Sequence, residues 1–360
     1  MKKVLKVVLI VILAVVVLAA GYLAYVLIDF HRIPDKTALN VEANAAGGAA
    51  RVDTPYELVS WNVGFGAYES DYGFFMDGGT ESRAWSRERL EKNMERICRV
   101  LQEQDADFYL IQEVDLNSTR SYHMDQVSVV RAALPDRPNV WAQNYDSPFL
   151  MYPPTRPFGK AVSGIMTFTP GLRITEAIRR QLPIETGFTK FLDLDRCYSV
   201  CRVNVVGADG KELVLYNMHL SAYTSDGTIA DEQLRLLIED MKAEYARGNY
   251  VVCGGDFNKD VLGDSSVYFG KSDVEYTWAQ SLPDGIFDGT GLRLVAPVDE
   301  DDPVPSCRNA DGPYHEGQSV LTIDGFIVSD NVKVENAAVE DLQFACSDHN
   351  PVEMTFTLLP

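Results

Sequence analysis

The sequence predicts an α/β fold in which two mixed β-sheets pack face to face between helices, preceded by one transmembrane helix. Three observations lead there. Strand-like apolar segments alternate with amphipathic helical ones from Tyr56 to the C-terminus. An uncharged run near the N-terminus is long enough to span a bilayer. Acids, amides and histidines recur where the apolar strands stop, so rigid strand ends can present them together.

In chain order, Lys2, Lys3 and Lys6 precede an apolar run from Val7 to Ile28, about 22 residues and enough for a hydrocarbon core. Ala19-Ala20-Gly21 offers a signal-cleavage alternative, but the run continues through Tyr22, Leu23 and Val26, beyond a usual signal core. The lysines before the span favour a cytoplasmic N-terminus, which predicts a single-pass cell-membrane protein with an extracytoplasmic globular domain. Asn40 to Pro55, rich in Ala and Gly, reads as a flexible tether. The expected divisions are an anchor over residues 1–30, a flexible linker over 31–54 and a globular domain over 55–360, expected to be a monomer.

Within that domain Tyr56–Val63 reads as a strand and Trp85–Gln104 as a helix, with Leu90, Met94, Ile97 and Leu101 on one stripe. Asp107–Val114 is a buried strand, followed by strands at Gly164–Thr169, Cys197–Val206 and Glu212–Leu220. A second amphipathic helix covers Asp231–Arg247 and is closed by Gly248-Asn249. Tyr250–Cys253, Thr322–Ser329 and Val352–Leu358 complete the strands.

The formal charge of -20 argues against a protein that grips a long nucleic acid by its backbone, since that usually takes a basic surface. It argues equally against electrostatic docking on anionic lipid. Six scattered cysteines make no disulfide framework. Cys197 and Cys201 would stand ~13 Å apart on one strand face. Zinc is disfavoured because no paired Cys/His spacing occurs.

The polar residues at strand ends carry the functional reading. Asn62 follows Val59-Ser60-Trp61, Glu113 follows Leu110-Ile111-Gln112, and His219 follows Tyr216-Asn217-Met218. Asp256 and Asn258 follow Val251 to Gly255, Asp324 follows Ile323, and Ser347-Asp348-His349 opens the last strand. Taken singly, Asn62 is also a turn former, Glu113 a salt-bridge partner and Asp256-Phe257-Asn258 a glycine-led turn. His31, His123 and His315 read as structural. The ordered set is what points to chemistry.

That set, above all Gly255-Asp256-Phe257-Asn258 and Ser347-Asp348-His349-Asn350-Pro351-Val352, resembles the endonuclease/exonuclease/phosphatase superfamily over about Tyr56 to Pro360. The resemblance implies a four-layered α/β sandwich and Mg²⁺-dependent phosphoester hydrolysis, with Mn²⁺ or Ca²⁺ as alternative ions. It implies Glu113 as main metal ligand, with Asn62 beside it and Asp348 as a further ligand. It implies that Asp256 activates water, that Asn258 holds a phosphate oxygen, and that His219 and His349 contact the phosphate. Asp324 would orient His349. This chemistry needs positive charge on phosphate oxygens, which Mg²⁺ supplies while using only one or two carboxylates.

Arg120, and less strongly Lys160 and Arg196, are candidates for binding the substrate phosphate, Arg120 with a surface salt bridge as the competing reading. The position of His219 is closer to DNase I and the neutral sphingomyelinases than to apurinic endonucleases. The leading expectation is a phosphodiesterase acting on phospholipid head groups or small phosphoesters, which tethering would favour. The alternatives are a membrane-anchored or secreted nuclease and, from another class, a catalytically inactive surface binding protein. The loops Gly66–Arg83, Tyr145–Lys160 and Pro297–Gly317 should wall the pocket. Acidic Asp299 to Asp302 in the last would repel a polyanion.

Overall fold

A computed structural model describes the chain except for residues 45–46, 192–194, 223–227 and 271–278. Two β-sheets form its centre. One has six strands, in the order Val332–Val339, Val352–Leu358, Pro55–Asn62, Phe108–Asp115, Val162–Phe168 and Asn139–Asp146. The other has eight, running Thr37–Ala38, Ile174–Gln181, Cys197–Val206, Glu212–His219, Tyr250–Asp256, Asp324–Ser329 and Leu292–Val295, with Ala50–Arg51 paired beside Cys197–Val206.

Each sheet is mixed, and each contains a strand–helix–strand unit with parallel strands. In the first, Pro55–Asn62 runs parallel to Phe108–Asp115 and the Arg87–Gln104 helix connects them. In the second, Glu212–His219 runs parallel to Tyr250–Asp256 across the Thr228–Ala246 helix. Parallel neighbours need such a crossover, and ligands gather beyond the carboxyl ends of strands wound this way.

Strand alternation distributes the side chains into layers. Leu58, Phe108 and Leu110 face inward and pack against Leu213, Leu215, Val252 and Phe326 of the opposite sheet. Trp61, Tyr109 and Ile111 face outward against Leu90, Met94, Ile97 and Leu101, the stripe expected from the sequence. Tyr216, Val251 and Cys253 do the same against Leu234, Leu237 and Met241. Helix, sheet, sheet and helix thus follow one another. The Arg87–Gln104 helix begins two residues later than the expected start at Trp85, capped by Ser86, whose side chain accepts from Arg89 N at 3.1 Å.

The N-terminal helix, Lys2–Asp29, is long and apolar enough to cross a membrane by length and composition. The stretch after it is not the flexible tether expected from its Ala and Gly content. Arg32 Nε donates to Asp195 Oδ1 at 2.7 Å, and Asp35 Oδ1 accepts from Arg180 Nε at 3.0 Å. Thr37–Ala38 extends the sheet edge, and Asn44 makes two hydrogen bonds to the backbone of Ile174. Small residues serve close packing here: a Cβ on Gly47 would lie 2.3 Å from Arg173 N. Composition alone does not separate a tether from a tightly packed edge.

Candidate active site

The carboxyl ends of the two parallel pairs meet. His219 and Asp256 are register partners across one pair, and Asp256 also pairs with Asp324 at the start of the next strand. From the other sheet, Asn62 Nδ2 donates to Asp256 Oδ2 at 3.0 Å. The same oxygen lies 3.3 Å from His219 Nε2 and 3.8 Å from His349 Nε2. The second Asp256 oxygen accepts from Asn258 N at 2.8 Å. Five of the residues singled out in the sequence therefore surround one carboxylate or its immediate partners.

Glycines make the approach possible. A Cβ on Gly255 would stand 1.9 Å from Met218 O, so only glycine lets this strand end close on its neighbour. Gly64 adopts φ +51, and a Cβ there would meet Tyr68, Asp348 and Ser347 within 3.2 Å.

His349 is held on its other side. Its Nδ1 lies 2.8 Å from Asp324 Oδ2, which also accepts from Ser306 Oγ at 2.7 Å. Ser306 in turn accepts from Ile323 N and Asp324 N. Asp324 thus lies between the ring and Ser306, a residue that the sequence motifs did not single out. Trp61 Nε1 donates to His349 O at 2.8 Å, while Ser347 Oγ donates to Asn62 O at 2.8 Å. The Ser-Trp-Asn and Ser-Asp-His segments are thus stapled to each other.

Burial lowers both imidazoles, and Asp324 beside one of them drives the two apart. His219 is pulled well below the ordinary histidine range by burial, reinforced by the charges of Arg196, His349 and Arg120. Burial also works against a charged His349, but Asp324 beside it wins and raises its pKa well above that range. The two rings are thus pushed to opposite sides of the ordinary histidine range, a division suited to acid–base work. Burial raises the Asp256 carboxyl, against the opposing pull of His349.

Glu113 occupies a bulge in its strand, where the register slips between Ile111 and Val114. Its φ is +57, a left-handed conformation that costs a non-glycine residue about 1–2 kcal/mol. The bulge turns its side chain out of the strand alternation, and a quarter of that side chain remains exposed. Asn258, at φ +49, is similarly placed, and its Nδ2 donates to Leu220 O at 2.9 Å.

Arg120 was expected to reach a substrate phosphate. Instead it is buried, with Nη2 at 2.8 Å and Nε at 3.1 Å from Asp115, and it stacks 3.9 Å from the Phe65 ring centre. Its remaining nitrogen lies 3.7 Å from Glu113 Oε2. Arg120 therefore braces the Glu113 loop, its fork already matched by a carboxylate five residues earlier. Lys160 is bound to Asp29 and Asp146. Arg196 is buried and close enough to His219 to depress it.

Asp348 is half-buried, and the loss of water around it raises its carboxyl; His349 and Arg308 oppose that rise and the nearby Glu113 carboxylate adds to it. The Glu113 and Asp348 carboxylates, with Asn62 Oδ1 accepting from Gly64 N, make a donor set that suits a hard divalent cation. A second group, Asp256, Asp324 and His349, offers one ligand atom each within 4.8 Å of one another. This supports a metal-dependent site without specifying the ion.

A sequence model of the Endonuclease/Exonuclease/phosphatase family matches residues 59–349. The chain belongs to this family. No curated protein sequence matches it. Among solved structures, this family member is similar to an endonuclease/exonuclease/phosphatase from Beutenbergia cavernae, at 16% identity and TM-score 0.56, covering 85% of this chain and 72% of that one. It is similar to the human Nocturnin catalytic domain with bound sulfate, at 14% identity and TM-score 0.54, covering 89% and 97%. It is also similar to ANGEL2, a 2',3'-cyclic phosphatase in complex with adenosine-2',3'-vanadate, at 14% identity and TM-score 0.55, covering 89% and 99%. The family is one of metal-dependent phosphoesterases, and the fold is its two-sheet sandwich.

Proposed function

We propose that this site hydrolyses a phosphoester, with Asp256 activating the attacking water and His349 protonating the leaving oxygen. The observation that carries the reading is the convergence of Asn62, His219 and His349 on Asp256 Oδ2. As the water oxygen bonds to phosphorus, Asp256 takes its proton; the ester P–O bond breaks and the departing oxygen takes a proton from His349. Neutral His219 donates an N–H to a non-bridging oxygen, and Asn258 and Asn62 hold the loops that frame it. Arg120 serves as a positioning residue for Glu113 in place of the phosphate-binding role expected from sequence.

Glu113, Asp348 and Asn62 would hold the metal, which we read as Mg²⁺ from the carboxylate and amide donors. When bound it supplies the positive charge that an anionic phosphoester requires.

For the substrate we favour a short nucleotide-type phosphoester. The cyclic-phosphatase relative and its adenosine ligand support it, and the acidic balance supports a short substrate over duplex nucleic acid. A phospholipid head group is the second reading, favoured by the apolar N-terminal helix. The test is a screen of the detergent-solubilised chain on adenosine 2',3'-cyclic phosphate, bis-p-nitrophenyl phosphate, short oligonucleotides, sphingomyelin and lysophospholipids, with Mg²⁺, Mn²⁺, Ca²⁺ or EDTA. Turnover that needs Mg²⁺ and is highest on the nucleotide class is expected. Turnover unaffected by EDTA would overturn the metal assignment, and preference for lipid would replace the substrate class.

A further inference from the structure

The N-terminal helix is exposed along most of its length, yet its last turns are docked. Val26 is 2% exposed, and the helix is tied to one loop of the catalytic domain by two hydrogen bonds. Tyr22 Oη donates to Phe149 O at 3.0 Å, and Phe149 N donates to Tyr25 Oη at 2.9 Å. Tyr22 stands six residues before Ile28, about 9 Å along the helix axis at the α-helical rise. The main chain of Phe149 is therefore level with the final turns of the apolar run.

We propose that Phe149, Met151 and Tyr152 form a second membrane contact, seated in the interfacial layer of the bilayer that the helix enters. The inference rests on reading Lys2–Asp29 as a membrane-spanning helix. Phe149, Met151 and Tyr152 are 38%, 58% and 66% exposed, which puts three large apolar side chains on the surface within four residues. Met76 is 54% exposed, and the Phe75 ring packs 5.6 Å from that of Tyr152, widening the patch.

Residues 147–154, Ser-Pro-Phe-Leu-Met-Tyr-Pro-Pro, carry no charge in a chain whose formal charge is -20. The cations that follow in the same loop are paired, Arg156 with Glu81, and Lys160 with Asp29 at 3.3 Å and Asp146 at 3.5 Å. Such a surface meets lipid through apolar insertion, with tyrosines at the head-group level. The same loop runs on to Phe158, whose ring lies 5.5 Å from the Arg120 guanidinium that braces Glu113. A loop held in the interface would keep this side of the site at the lipid surface.

The experiment uses the full chain in lipid vesicles. The six native cysteines are buried, so single Cys substitutions can be labelled selectively with an environment-sensitive fluorophore. Met151→Cys reports the loop, Val15→Cys the middle of the helix, and Leu236→Cys the opposite, solvent-facing helix. Brominated lipids should quench the labels at 151 and 15 by about twofold or more and leave 236 unchanged. Quenching at 15 but not at 151 would overturn the loop contact and leave the anchor standing. No quenching at 15 would overturn the anchor and the proposal together. A label at 151 that is shielded from water but untouched by brominated lipid would mean protein contact instead, and would also reject it.

Discussion

The two halves of the site are built on opposite principles. On the eight-stranded sheet Asp256 is buried and contacted by Asn62, Asn258, His219 and His349, while Asp324 is shared between His349 and Ser306. On the six-stranded sheet Glu113 sits on a strained bulge, partly open to solvent, with Arg120 no closer than 3.7 Å. A carboxylate enclosed by donors has its geometry and protonation determined by the fold. One left open on a strained turn keeps oxygen lone pairs for something the chain does not itself provide. The first half suits proton handling and the second suits a cation.

The sharpest way to break this comparison is to disable each half separately. Glu113→Gln and His349→Ala should each lower turnover by at least about 10³-fold while the fold survives. They should differ in Mn²⁺ affinity measured by calorimetry or electron paramagnetic resonance. Glu113→Gln should lose it, and His349→Ala should keep it within a few-fold. If His349→Ala loses the ion and Glu113→Gln retains it, the metal belongs to the Asp256, Asp324 and His349 group, and the assignment of halves is reversed.

Much of this arrangement was legible in the sequence because strand ends are rigid and each apolar run announces where it stops. Asn62, Glu113, His219 and Asp256 stand at or beside such ends. Their neighbours were less legible. Gln112 and Asn217 fall within the motif segments but carried no role in the sequence, yet they join the two sheets. Ser306 lies in a loop whose path depends on contacts far along the chain, so nothing local marks it as the partner of Asp324. Arg120 was ambiguous for a related reason: a guanidinium looks the same in sequence whether its partner is the Asp115 carboxylate or a ligand phosphate. The stretch from Arg32 to Arg51 differed in the other direction, since low complexity concealed an edge held by short strand pairings and a few side-chain hydrogen bonds.

A medium effect tests how the halves are held in register. Gln112 Nε2 donates to Asn217 Oδ1 at 2.8 Å, and Asn217 Nδ2 donates to Met166 O at 2.7 Å, a buried amide bridge between the sheets. Gln112→Leu should cost about 1–3 kcal/mol in denaturant unfolding, because it leaves buried Asn217 short of a partner. Adding Asn217→Leu should cost less than the sum of the single changes, since the stranded amide is then removed. Strict additivity would mean that the bridge does not couple the sheets.

The smallest effect lies outside the site, on the rim of the eight-stranded sheet, where Glu244 accepts from Arg202 at 2.6 and 3.0 Å and from Asn249 at 2.7 Å. Burial alone would raise its carboxyl, but Arg202 and Asn249 outweigh it and the pKa falls below the ordinary value. A carboxyl depressed in the folded state contributes stability that is present above its unfolded pKa, near 4.3. That contribution is lost as pH falls through the lower folded value. Glu244→Gln should therefore cost about 1 kcal/mol at pH 7. The gap between variant and parent should close progressively below about pH 4. A gap that stayed constant down to pH 3 would mean that packing, and not the ion pair, accounts for it. The sheet rim would then resemble the enclosed half of the site less than its hydrogen bonds suggest.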